Sequence, residues 1–180
     1  MGKYKNPSVT TDIFIFDDDL NFILIKRKND PYKDFWALPG GFVDYNECVE
    51  DAAVREALEE TSIKVELKHL VGVYSDPNRD PRRHTISIAY AARGNMDEMK
   101  AADDACDINI FTKKDLEKIN LAFDHEKIIN DCLNSVSRWK IILRKSITLN
   151  NLKKKLTIEW RKTRGWYNGI LPRMWSNVTS

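Results

Sequence analysis

An α+β fold is what this sequence of 180 residues predicts, on three observations. Short segments rich in β-branched and aromatic residues fill most of its length, one helical segment interrupts them from Glu47 to Thr61, and a second helical pattern comes late, from Asp124. A regular alternation of strand and helix would instead have indicated a βαβ array. At this length the chain suits one domain, or one domain with an appendage. Its 42% hydrophobic and 31% charged residues are those of an ordinary globular protein.

In chain order, Val9 to Phe16 reads as a strand, Asp17-Asp18-Asp19-Leu20-Asn21 as a turn, and Phe22 to Arg27 as the returning strand of a hairpin. Asn29-Asp30-Pro31 breaks the pattern, and Phe35-Trp36-Ala37-Leu38 is a short apolar run stopped by Pro39-Gly40-Gly41. The helix from Glu47 to Thr61 is expected to be capped by Asn46, with Glu47, Glu50 and Asp51 complementing the positive end of its dipole. Ile63 to Tyr74 is a strand region, followed by the punctuated loop Asp76-Pro77-Asn78-Arg79-Asp80-Pro81. His84 to Ala92 alternates as a strand should, Ile108 to Phe111 is a further short strand, and Lys113 to Ile119 a short helix. Asp124 opens a longer helix that runs past Trp139.

The three cysteines, Cys48, Cys106 and Cys132, are widely spaced and form no C-x-x-C pair. That argues against a disulfide framework and a zinc site, and leads us to expect a reducing cytoplasm. No run of about 18 apolar residues occurs, so no membrane span is expected. The polar stretch Met1 to Val9, with Pro7, has no signal-peptide character. The net charge of +2 hides an asymmetry. From Arg138 onward eleven basic residues face a single acid, Glu159, a net +10 that leaves −8 on the remainder. The chain is therefore expected to divide into a domain over residues 1–137 and a basic, tryptophan-containing extension over residues 138–180.

The informative segment is Gly40-Gly41-Phe42-Val43-Asp44-Tyr45-Asn46-Glu47, continued by Arg55-Glu56-Ala57-Leu58-Glu59-Glu60-Thr61. Residues three and four apart share a helix face, so Glu56, Glu59 and Glu60 present their carboxylates together, with Arg55 adjacent. Like charges packed this densely repel, and a hard divalent cation relieves the repulsion; all-oxygen ligands select Mg²⁺, with Mn²⁺ as a substitute. The Gly-Gly turn lets backbone carbonyls approach the same ion without obstruction by Cβ.

Gly41, five residues, Glu47, seven residues, then Arg55-Glu56-Ala57-Leu58-Glu59-Glu60-Thr61-Ser62-Ile63 closely resembles the 23-residue signature of the Nudix hydrolase family. Trp36-Ala37-Leu38-Pro39-Gly40-Gly41-Phe42-Val43-Asp44 is also typical of it. Two positions depart from the pattern: Ser62 replaces the usual glycine, and Ala57 a larger aliphatic. Ser62 falls just past the helix end, where left-handed geometry costs a non-glycine residue about 1 kcal/mol. The resemblance implies an α/β/α sandwich around a mixed β-sheet, with the signature as a loop-helix-loop. It implies Glu56 and Glu60 as principal metal ligands, Glu59 in the metal shell and the Gly40 carbonyl completing the site. Arg55 would orient the glutamates, Gly41 and Glu47 would be structural, and the general base would be either a glutamate of the signature (Glu59 or Glu60) or an acid of the loop 101–107, Asp103 or Asp104.

The expected chemistry is Mg²⁺-dependent hydrolysis of a pyrophosphate linkage in a nucleoside diphosphate derivative. Pro77, fifteen residues after Ser62, marks family members acting on ADP-ribose; Ser75 to Thr85 and Leu121-Ala122-Phe123-Asp124-His125-Glu126 also look like the ADP-ribose pyrophosphatase branch. The favoured reaction is thus ADP-ribose to AMP and ribose 5-phosphate, ahead of house-cleaning of a nucleoside triphosphate. Arg27, Arg79, Arg82 and Arg83 are candidates for phosphate or ribose contacts, and Phe35 and Trp36 for stacking on the base, with Pro77 beside them. The tryptophans of the tail, Trp139, Trp160, Trp166 and Trp175, suggest packing against a partner subunit, hence a homodimer. The tail charge also raises a rival reading, an ADP-ribose-sensing DNA-binding regulator, but 43 residues are short for a winged helix and the glutamate cluster is intact.

Overall fold

The computed structural model describes residues 5–101 and 105–141 of the chain. Two units are distinguished, Met1–Val136 and Ser137–Ser180. Of the second, the described residues 137–141 are helical; the basic tail beyond them, and the proposed loop acids Asp103 and Asp104, lie outside the described residues.

The first unit contains β1 (Ser8–Ile15), β2 (Phe22–Arg27), β3 (Trp36–Ala37), α1 (Val49–Thr61), β4 (Val65–Tyr74), β5 (Thr85–Gly94) and β6 (Ala105–Phe111). Short 3₁₀ turns occupy Met96–Glu98 and Lys113–Lys118, and helix α2 covers residues 125–136 of this unit. The strands form two sheets, β1-β5-β4 and β3-β2-β6. The first is mixed, since β1 and β5 run parallel and β4 and β5 antiparallel; the second is antiparallel.

The expected β1–β2 hairpin is therefore corrected. Between the two strands there is only an isolated bridge, Phe16 to Phe22, and β1 pairs along its length with β5. The reason lies in which faces are buried. Ile13 and Ile15 of β1 join Ala53 and Ala57 of α1 in one core cluster, while Phe14 and Phe16 join Ile128, Ile129, Cys132 and Val136 of α2 in another. Successive side chains thus enter opposite cores, which is why the strand is continuously apolar instead of alternating. β2 and β5 split the same way: Ile23, Tyr90 and Ala92 face the α1 side, and Phe22, Leu24, Ala89 and Ala91 the α2 side. Each Ile, Leu or Phe side chain so buried contributes about 1.5–3 kcal/mol, the alanines less, and together they impose the α/β/α order. Among the described residues no helix is long and apolar enough to cross a membrane.

The first helix begins later than expected. Its N-cap is Cys48, without a side-chain capping bond, and Val49 is its first residue. Asn46 sits two residues earlier in a left-handed turn (φ 67°) and caps nothing. Glu47, expected in the first turn, precedes the helix because its N–H closes a turn onto the Asp44 carbonyl at 3.1 Å. At the other end Ser62 does adopt left-handed geometry (φ 61°), and its N–H bonds to the Leu58 carbonyl.

Candidate active site

The segment Leu38–Gly41 is laid along β1: the Ile13 N–H donates to the Pro39 carbonyl at 2.8 Å, and the Thr11 N–H to the Gly41 carbonyl at 2.9 Å. This closeness explains both glycines. At Gly40 (φ 155°) a Cβ would overlap the Thr11 carbonyl oxygen, and at Gly41 it would overlap the Glu56 carboxylate. The loop and α1 are joined directly, for the Gly40 N–H donates to Oε2 of Glu60 at 2.8 Å.

On α1, Ala53 and Ala57 pack toward the sheet, which leaves Glu56 and Glu60, four residues apart, lining a cleft of about 480 Å³. Arg55 gathers the neighbouring acids. Its Nε and Nη2 fork onto Glu47 at 2.8 and 2.9 Å, Nη1 reaches Glu56 at 2.7 Å and Glu59 at 3.1 Å, and Nη2 also meets the Phe42 carbonyl at 3.1 Å. The guanidinium, helped by the Asp44 N–H, holds the Glu47 carboxyl down to about 2. Glu60 is the opposite case: burial, reinforced by the charges of Glu56 and Asp12, pushes it up to about 8 despite the Gly40 hydrogen bond. Burial also raises Glu56, against the pull of Arg55.

Two recessed carboxylates, of which Glu56 is ion-paired to Arg55 while Glu60 has no cation within ion-pair distance among the described residues, fit a hard divalent cation, which would relieve what the protein leaves uncompensated. Among the described residues no three His, Cys, Asp or Glu side chains gather as a ready-made cage. Glu59, by residue spacing the third member, has a side chain 58% exposed and ion-paired to Arg55.

The structure brings Arg27, Gly40, Gly41, Glu56, Glu60 and Arg79 to the cleft. The remaining expected contacts are elsewhere. Phe35 packs against the Ile25, Ala37 and Ala122 cluster, and Trp36 sets its ring edge to Phe111 at a centroid distance of 4.7 Å. Neither is among the residues that line the cleft. Pro77 is exposed on its loop, and Arg83 lies over the Phe42 ring, 5.7 Å from its centroid, outside the cleft lining. Arg79 is buried and committed: it clasps Asp124 at 2.7–3.1 Å and reaches Asp12 at 3.4 Å.

Sequence reasoning did not single out Asp12, and it weighed Arg82 as a phosphate contact without its partner; Asp80, Phe123 and Asp124 stood only inside the stretches resembling the ADP-ribose pyrophosphatase branch. Arg82 is paired with Asp80 at 2.8 Å, and Phe123 carries the Arg27 guanidinium 4.9 Å from its ring centroid. Of the stretch Phe123-Asp124-His125, Phe123 and His125 line the cleft, and Asp124 is joined to it through Arg79.

An α/β/α sandwich with a glycine loop and glutamate helix at one cleft defines a class. The family model described as NUDIX domain matches residues 6–132, and the chain belongs to the Nudix hydrolase family. Within that family it is 50% identical over 137 residues to the ADP-ribose pyrophosphatase of Methanocaldococcus jannaschii, covering 76% of this chain and 77% of the relative. Among solved structures it is similar to a MutT/nudix family protein from Enterococcus faecalis, with a TM-score of 0.68 and 32% identity over 77% of this chain and 65% of that one. It is also similar to a bifunctional NMN adenylyltransferase/ADP-ribose pyrophosphatase from Francisella tularensis complexed with AMP and a Mn ion. There the TM-score is 0.66 and the identity 29%, over 74% of this chain and 43% of that one. The chain thus spans about two thirds of the first of these structures and less than half of the second. Its chemistry is that of an enzyme hydrolysing a pyrophosphate linkage.

Proposed function

We propose that this chain hydrolyses ADP-ribose to AMP and ribose 5-phosphate with Mg²⁺, Mn²⁺ serving in its place. The observation that carries the reading is the meeting of opposite charges in one cleft. It is lined by Glu56 and Glu60 and by Arg27, a half-buried guanidinium with no carboxylate within ion-pair distance among the described residues. Its Nε is anchored on the Pro31 carbonyl at 3.0 Å and its plane rests near Phe123. An anchored, unpaired guanidinium is a receptor for phosphate oxygens, whereas Arg79 and Arg82 are already neutralised by Asp124 and Asp80. The likeness to the Methanocaldococcus enzyme supports ADP-ribose as the substrate.

In this reading Glu56 and Glu60 hold the cation, with Glu59 and the Gly40 carbonyl joining them. When bound, the cation supplies charge neutralisation for the diphosphate and a Lewis acid for the attacking water. Arg55 keeps Glu56 and Glu59 turned toward one another, and Glu47 keeps Arg55 in place. A carboxylate, from the signature glutamates or from Asp103 or Asp104, takes the proton of the water as its oxygen bonds to phosphorus and the bridging P–O bond breaks. A homodimer and a cytoplasmic setting complete the proposal.

The test is a product assay with Mg²⁺ across ADP-ribose, NADH, diadenosine polyphosphates and ordinary or oxidised nucleoside triphosphates, with chelator controls. AMP released preferentially from ADP-ribose, and abolished by chelator, is the expected result. Preference for a triphosphate would discard the substrate assignment while keeping the chemistry.

A further inference from the structure

We propose that His125, at the start of α2, is a positioning residue for the cation site, acting through the backbone N–H of Leu38. The imidazole is 4% exposed, and its Nδ1 accepts the Leu38 N–H at 2.9 Å, a bond between groups 87 residues apart. A nitrogen that accepts from an amide carries no proton, so the ring is neutral and its proton is on Nε2. That nitrogen faces Oδ1 of Asp12 at 3.5 Å.

Asp12 is itself fixed, since its other oxygen accepts from Ser87 Oγ and from Arg79, whose guanidinium is clasped by Asp124, the residue before His125. The orientation of the imidazole is therefore set from β1, β5 and the start of α2 at once.

What the ring then fixes is the chain segment Leu38-Pro39-Gly40. Pro39 has no N–H, so Leu38 is the last donor before Gly40, and the Gly40 N–H is the group that holds Glu60. The loop is otherwise tied to β1 by the Pro39 and Gly41 carbonyls. Those bonds set its distance from the strand; the His125 bond sets it from the α2 side. Without an acceptor at the Nδ1 position the buried Leu38 N–H loses its partner, and the peptide that aims Gly40 at Glu60 keeps its Pro39 carbonyl bond to β1 but loses its support on the α2 side. The effect falls on the carboxylate meant to hold the cation. Outer partners of this kind typically change metal affinity or activity by about 10-fold to 100-fold when removed.

The inference rests on the reading of Glu60 as a cation ligand and not on the identity of the nucleotide. Its test compares two amide substitutions. In His125→Asn the side-chain oxygen falls where Nδ1 was; in His125→Gln it falls near Nε2, although glutamine fills the volume better. Mn²⁺ binding to the full chain without nucleotide, followed by the electron paramagnetic resonance of the free ion, is read beside kcat and KM on ADP-ribose. The expected result is that His125→Gln weakens Mn²⁺ binding by about 10-fold to 100-fold and lowers kcat more than it raises KM, while His125→Asn recovers most of both.

A role in packing alone would reverse that order, and equal impairment of the two variants, or wild-type Mn²⁺ affinity in His125→Gln, would overturn the proposal. Should the glutamine variant fail to fold while the asparagine variant folds, His125→Ser supplies a smaller side chain lacking the acceptor at that position. Wild-type Mn²⁺ affinity in it overturns the proposal equally. A wild-type chain that binds no Mn²⁺ also overturns it. One that binds Mn²⁺ but leaves ADP-ribose intact removes only the substrate assignment, and the metal comparison still decides His125.

Discussion

The backbone N–H of Gly40 donates to Oε2 of Glu60 across 2.8 Å, and this bond joins the two halves of the site. A glycine in a loop and a glutamate on the last turn of α1 are thereby held as one unit. The same carboxyl is pushed up to about 8, chiefly by burial, so the hydrogen bond offsets only part of the cost of keeping a charge there.

Replacing Glu60 therefore separates function from stability. Glu60→Gln and Glu56→Gln are each expected to lower turnover on the order of 100-fold or more, as measured in saturating Mg²⁺. In chelator, Glu60→Gln should melt no lower than wild type, since it removes a carboxyl whose burial favours the neutral form. Near-normal turnover in either variant would remove that residue from the ligand set.

The adjacent glycines should respond differently to one methyl group. Gly40→Ala drives Cβ into the Thr11 backbone at a positive φ, so a loss of about 1–3 kcal/mol of folding stability is expected in urea titration. Gly41→Ala meets the end of the Glu56 side chain first. It should leave the urea midpoint nearly unchanged and lower Mg²⁺-dependent turnover, by displacing a carboxylate instead of a backbone.

Ser62 holds left-handed geometry at φ 61° beyond the end of α1. Ser62→Gly removes the steric cost of Cβ and adds chain entropy to the unfolded state. The net expectation is a gain of up to about 1 kcal/mol in urea unfolding, with turnover unaffected. A destabilised glycine variant would mean that the Ser62 side chain contributes more than its strain costs.

His125 makes folding sensitive to acid. Burial lowers its proton affinity in the folded state, the charges of Asp12 and Asp124 opposing and those of Arg79 and Arg27 reinforcing the shift. Below the ordinary histidine value of about 6.5 the unfolded chain takes up a proton that the folded chain refuses. This residue's contribution is thus fully present above that pH and declines as the pH falls, at no more than about 1.4 kcal/mol per pH unit. The measurement is the difference between wild-type and His125→Asn urea midpoints from pH 7.5 down to about 5.5. A constant difference would show that residue 125 exchanges no proton on unfolding.

Part of the glutamate helix was legible because its information is local. Glu56 and Glu60, four residues apart, both line the cleft as helical spacing predicts, whereas Glu59 is exposed and turned to Arg55, a choice made by contacts that spacing does not specify. Ser62 was equally readable, because a helix end demands left-handed geometry whatever surrounds it. The β1–β2 hairpin failed since Phe22 follows Phe16 by a short turn in sequence, yet pairing is decided by which strand completes a buried sheet. In the parallel pairing of β1 with β5 the partners are 77 residues apart, as in Ser8 with Thr85.

The sequence by itself determined the family chemistry: a glycine loop, a glutamate helix and the arginine between them, with interactions short enough in chain distance to be dictated by local geometry. Only the tertiary structure decided which cations remain free to meet a substrate. Arg27 and Arg79 look alike as residues, but Arg79 is buried between Asp12 and Asp124 while Arg27 stands in the cleft beside Phe123. A guanidinium acts as a ligand receptor only when no carboxylate has neutralised it, and the acids that neutralise Arg79 come from β1 and from the turn that opens α2, brought to it by the packing of the core.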